Sequence, residues 1–97
     1  MYDDRNGFCA CSFIDNVYVI GGYLRGSTNS CLKYNTKDQS WTEVAKLNEA
    51  RDYAACAVFK GTIVVSGGYN NPEGRLKTVL TIVLNKNEKC MFLLQST

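Results

Sequence analysis

Cys9, Cys11, Cys31, Cys56 and Cys90 are the residues of this chain best suited to chemistry, and not one histidine is present to work with them. The thiols form no C-x-x-C pair, and without imidazole no Cys/His zinc site can be completed, so no metal or other cofactor is expected. Ser-His-Asp and Cys-His catalysis fail for the same reason. Cys9 and Cys11 are two apart, so on a strand they share a face as small apolar fillers. Cys56 recurs in the equivalent segment later in the chain. Buried, reduced thiols are the simplest reading, and a redox sensor is the alternative. Reduced thiols place the protein in the cytosol or nucleus. Asp3-Asp4 reads as a solvated turn and Asp38 as a turn former, neither as a catalytic acid. The two Gly-Gly pairs lack the spacing and the following helix of a phosphate cradle. The chain is therefore read as a non-enzyme.

The 97 residues bound the protein to one small domain, with 45% hydrophobic and 21% charged residues and a net charge of +2. The basic residues are scattered, so no nucleic-acid stripe is expected. Nothing approaches a membrane span, and the polar start, Met-Tyr-Asp-Asp-Arg, has no signal-peptide character.

The elements that hold these residues are set by a repeat. Val17-Tyr18-Val19-Ile20-Gly21-Gly22-Tyr23 returns 46 residues later as Ile63-Val64-Val65-Ser66-Gly67-Gly68-Tyr69. The same offset carries Arg5 onto Arg51, Phe13 onto Phe59 and Met1 onto Leu47. A fixed period of this size marks units too small to bury their own apolar faces, which must stack. Short β-branched and aromatic runs separated by Gly, Asn, Asp and Ser predict an all-β protein. Strands are expected over 8–13, 17–20, 30–34, 40–44, 53–59, 62–66, 77–84 and 90–94. Turns are expected at Asp15-Asn16, 35–39 and Lys60-Gly61, with loops over 23–29 and 69–74. The alanine-containing stretch 43–57 lacks a helical stripe and is read as non-helical. Consecutive apolar residues at 17–20 and 63–65 imply strands covered on both faces.

Gly21-Gly22, then Tyr34, then Trp41 seven residues later, with Arg51 before a small-residue strand and a second Gly67-Gly68, resembles the kelch repeat. The resemblance covers the chain from Met1 to about Thr78. It implies two four-stranded antiparallel blades of a partial β-propeller, residues 1–46 and 47–97. The second blade diverges from about residue 80: Ile82 and Lys89 stand where Tyr34 and Trp41 stood. Gly21, Gly22, Gly67 and Gly68 are the structural glycines. Tyr34 and Trp41 are expected to supply apolar area between neighbouring sheets. Copper-holding kelch oxidases use histidine, so that branch is excluded.

The family's binding face lies on the loops after the double glycine and on the turn into each blade. Carried over, this gives Tyr23, Arg25, Ser27 and Asn29 in the first loop, and Tyr69, Asn70, Asn71 and Arg75 in the second. At the start of each unit it gives Arg5, Asn6, Arg51 and Asp52. Tyr and Arg are frequent interface anchors, and Arg grips carboxylates with paired hydrogen bonds, so an acidic peptide or acidic protein loop is the expected partner. For Arg5 and Arg51 the alternative is structural salt bridging between blades. The resemblance implies a substrate-recognition module of a cullin-type ubiquitin-ligase adaptor, whose BTB and BACK domains lie outside this chain. An actin-binding cytoskeletal kelch protein is the alternative, and a kelch-propeller enzyme a lesser one. A cytoplasmic, cytoskeletal or nuclear setting follows. Two units cannot close a ring, and the apolar runs 78–84 and 91–94 are of aggregation-prone composition, so the isolated chain is expected to self-associate.

Overall fold

Two four-stranded antiparallel sheets carry the fold. The computed structural model describes residues 3–44, 46–47, 49–70, 74–76, 79–84 and 91–96. The first sheet is a meander of β1 (Cys9–Phe13), β2 (Asn16–Ile20), β3 (Cys31–Asn35) and β4 (Ser40–Val44). The second contains β5 (Ala55–Phe59), β6 (Thr62–Ser66), β9 (Val79–Leu84) and β10 (Met91–Ser96), in the order β10-β9-β6-β5. Between β6 and β9 a short ribbon forms from β7 (Tyr69–Asn70) and β8 (Gly74–Arg75). No helix occurs among the described residues, in keeping with the non-helical reading of 43–57.

The repeat offset is a structural period. β1 and β5 hold equivalent residues, as do β2 and β6. Each opening hairpin turns through a non-glycine residue in the left-handed region, Ile14 (φ 57°) and then Lys60 (φ 50°). The first turn falls at Ile14-Asp15, because Asn16 already pairs with Phe13. The second falls at Lys60-Gly61 as expected, both residues having positive φ, which suits the right-handed twist of a two-residue hairpin.

Register decides which face is core. Tyr18, Ile20 and Cys31 of the first sheet, with Leu47, pack against Ile63, Val65 and Ile82 of the second. Cys9, Cys11, Phe13 and Val44 join from one side, and Ala54, Cys56 and Val58 from the other. These positions alternate along each strand, as a pleated sheet requires. Tyr18, Val19 and Ile20 are all buried, so β2 is covered on both faces.

Two sequence expectations are corrected. Tyr34 and Trp41 pair across β3 and β4 with their ring centroids 4.8 Å apart, but they are only half-buried. Tyr34 lies opposite Val17, on the face alternate to Tyr18 and Ile20, so the pair faces away from the second sheet. The contact between sheets is made by smaller residues and Tyr18 instead. The predicted loop 69–74 contains the β7–β8 ribbon, whose two ladder pairs are too short to leave a periodic signal. The stretch from residue 80, read as divergent, pairs its backbone as β9 and β10 and completes the second sheet. Met1, Asn71, Pro72, Lys77, Thr78, Lys89 and Cys90 lie outside the described residues.

Candidate functional site

Each double glycine ends a strand in the left-handed region, Gly21 at φ 61° and Gly67 at φ 68°. The second glycine of each pair sits against main chain. A Cβ on Gly22 would stand 3.0 Å from the Asn6 carbonyl oxygen, and one on Gly68 would stand 2.8 Å from that of Asp52. Only glycine permits this approach.

Each close approach ties a loop to the start of its own unit. The Asn6 and Tyr23 main chains exchange hydrogen bonds of 3.1 and 2.6 Å. Their equivalents, Asp52 and Tyr69, exchange bonds of 2.9 and 2.8 Å. Between units, the Gly22 N–H donates to the Arg51 carbonyl at 2.8 Å, and the Tyr53 N–H to the Gly7 carbonyl at 2.6 Å. The Ser27 hydroxyl lies 3.4 Å from an Asp52 carboxylate oxygen. The loops are therefore held by a lattice of main-chain bonds, which is how mobile-looking segments come to present side chains in fixed positions.

Arg5 and Arg51 are built into this lattice. The Arg5 side chain is 1% exposed. It donates from Nη1 to the Gly21 and Ser30 carbonyls at 3.0 and 2.9 Å, and forks onto the Asp3 carboxylate from Nε and Nη2 at 2.9 and 2.8 Å. Arg51, with a fully buried side chain, donates from Nη1 to the Gly67 carbonyl at 2.8 Å and from Nη2 to Glu49 at 3.5 Å. Each arginine thus reaches the first residue of its own unit's glycine pair and an acid two residues before itself. The Arg5 guanidinium, chiefly through its hydrogen bonds, holds the Asp3 carboxyl below its ordinary pKa. Burial is the main influence on Arg51 and lowers its pKa, with Glu49 opposing.

The expectation that Arg5 and Arg51 face a partner is therefore corrected: both satisfy buried carbonyls within the fold. Asp52 and Asn70 are buried too, Asn70 donating its amide to the Ala50 carbonyl. Ser27 and Asn29 are half-buried. Asn6, Tyr23, Arg25, Tyr69 and Arg75 are exposed. Tyr23 is 41% exposed and Tyr69 49%. Arg75 lies opposite Tyr69 across the β7–β8 ribbon. Arg25 takes a positive φ of 59° in the tight turn that the Leu24 N–H closes onto the Gly26 carbonyl.

Sequence reasoning missed Tyr53. The sequence pattern predicts a strand there, yet Tyr53 takes a φ of 55°, is 73% exposed, and sets its ring over Gly7. Its signal was the offset itself, since Tyr53 falls on Gly7, a position that needs positive φ in both units. Phe8 and Leu24 add partly exposed apolar surface. Each loop thus offers a tyrosine with an exposed arginine. No group of three His, Cys, Asp or Glu side chains able to hold a metal ion occurs among the described residues.

Comparison with known proteins agrees with this geometry. Residues 4–48 match the kelch motif. The chain is 34% identical over 73 residues to an F-box/kelch-repeat protein of Arabidopsis thaliana, covering 71% of this chain and 15% of that protein. It is 29% identical over 68 residues to Kelch-like protein 23 of Homo sapiens, covering 70% of this chain and 12% of the relative. It is also 29% identical over 75 residues to Kelch-like ECH-associated protein 1B of Danio rerio, covering 76% and 13%. The chain therefore spans a small part of the length of the curated relatives it matches. Kelch repeats with kelch-like relatives point to a protein-interaction module. Two stacked four-stranded sheets, the paired double glycines and these matches together show kelch repeats in this chain, with two neighbouring blades of a partial β-propeller.

Proposed function

We propose that the loop face built from Tyr23, Arg25, Tyr53, Tyr69 and Arg75 binds an acidic peptide segment of a protein partner, and that the whole protein serves as the substrate-recognition part of a cullin-type ubiquitin-ligase adaptor. The observation that carries the reading is the repeated pairing of an exposed tyrosine with an exposed arginine on loops locked by main-chain bonds. Tyrosine offers a large, stiff contact area, and arginine a fork for carboxylates. Locked loops lose little freedom on binding, which favours affinity. The kelch-like relatives support a protein-interaction module, and the adaptor role follows from the kelch-like resemblance of the repeats.

Fluorescence anisotropy with a labelled Glu-rich peptide and a Gln-matched control tests the site. The acidic peptide should bind at least about tenfold more tightly, weaken with added salt, and lose that advantage in the Arg25→Ser/Arg75→Ser variant. Equal binding of both peptides overturns the reading. For the adaptor role, the whole protein expressed in cells should co-precipitate a cullin; a cullin-free precipitate argues against it.

A further inference from the structure

Three thiols converge where the two sheets meet. Cys9 and Cys11 flank Ala10 on β1 and face the second sheet, and Cys56 lies between Ala55 and Ala57 on β5 and faces the first. β1 packs directly on β5. All three cysteines are free and half-buried, so a small reagent can reach them. We propose that Cys56 and Cys11 form a reversible disulfide that ties the two blades together through these adjoining strands.

Cys11 is the favoured partner. The Cys9 thiol already donates within its own sheet, to the Ile20 carbonyl at 3.8 Å. Hydrogen bonding from Cys11 is the first influence on Cys56 and holds its pKa below the ordinary thiol value. The same contact, followed by burial, pushes Cys11 up. Cys56 faces both β1 thiols, so as a thiolate it can receive an S–H bond from its partner; it is the nucleophile and Cys11 the resolving thiol. Cys31, which burial pushes up to about 11, stays out of the reaction.

With a peroxide as oxidant the chemistry closes. The Cys56 thiolate attacks a peroxide oxygen and breaks the O–O bond, giving a sulfenic acid and, from hydrogen peroxide, hydroxide. Cys11 then attacks the sulfenic sulfur, the S–S bond forms, and water leaves. Two thiols lose two electrons, and hydrogen peroxide ends as two waters. The bond would fix β1 against β5 close to the Gly7–Tyr53 hydrogen bond, and so set the spacing of the loop face.

The test treats the full chain with hydrogen peroxide, caps remaining thiols and maps tryptic peptides without reduction. The expected product is an intramolecular link, reversed by dithiothreitol, between the peptides of residues 6–25 and 52–60, with fragmentation placing it on Cys11. The urea midpoint of the oxidised monomer should rise and fall back on reduction. Cys11→Ser should lose the link and Cys9→Ser keep it. Should Cys11→Ser fail to fold, fragmentation of the wild-type product still assigns the sulfur. A link at Cys9, a link found only between chains, or no Cys56 link at all overturns the proposal.

Discussion

A charged side chain in a protein interior must be matched by acceptors, and Arg5 and Arg51 find theirs mainly in main-chain carbonyls. Arg51→Ala would leave the Gly67 carbonyl without that donor, so the cost should be about 3 kcal/mol, the order for a charge-assisted hydrogen bond. Arg51→Lys should restore little of it, since an ammonium lacks the fork that serves Gly67 and Glu49 together. Chemical denaturation of the three proteins measures both. A Lys variant as stable as wild type would show that the positive charge alone matters. Tyr69→Ala, by contrast, should leave the urea midpoint near wild type while weakening the acidic peptide, because half of that side chain is solvent-exposed. Asp3 gives a pH dependence. Its folded pKa lies below the ordinary 3.8, so its pairing with Arg5 contributes stability above that value and loses it as pH falls through the lowered one. Urea midpoints at pH 6 and pH 3 should differ less for Asp3→Asn than for wild type; an unchanged difference would mean that other carboxylates govern the acid limb.

At the level of elements, the hairpins and their period were legible because side-chain type and spacing write them directly. Paired β-branched runs closed by Gly-Gly recur at a constant offset, and every expected strand lies within two residues of its place, while the short β7–β8 ribbon left no signal. The fate of the arginines was not legible. Their partners are carbonyls sixteen residues away, and a carbonyl is the same for every residue type. Nor could the face carrying Trp41 be chosen, since β2 is apolar on both sides and either register face suits a neighbour. Its true position changes the expected energetics. Trp41→Ala should cost about 1–2 kcal/mol in this chain, below the roughly 3–5 of a fully buried aromatic. Loss of the larger amount, read from denaturation midpoints, would mean that the Tyr34–Trp41 face is covered in solution.

For the whole molecule, what matters is how two stacked sheets end. β4 and β10 are outer strands of their sheets, and the β10 sequence Met-Phe-Leu-Leu-Gln-Ser carries no charge or proline to discourage pairing with another chain. Sedimentation of the isolated chain should show association at micromolar concentration, and a lysine placed at Leu93 should reduce it; a monomer in both cases would remove the edge from consideration. The spacing of Arg5 from Gly21 and of Arg51 from Gly67 is the same sixteen residues. That distance works as a ruler: an insertion inside it would pull the guanidinium off its carbonyl, so both opening hairpins are bound to constant length. Residues 23–27 lie outside the ruler and are closed at their base by the Thr28 N–H donating to the Gly22 carbonyl at 2.8 Å. They form a cassette, and a foreign sequence of different length grafted there should leave the blades standing while giving them a new specificity.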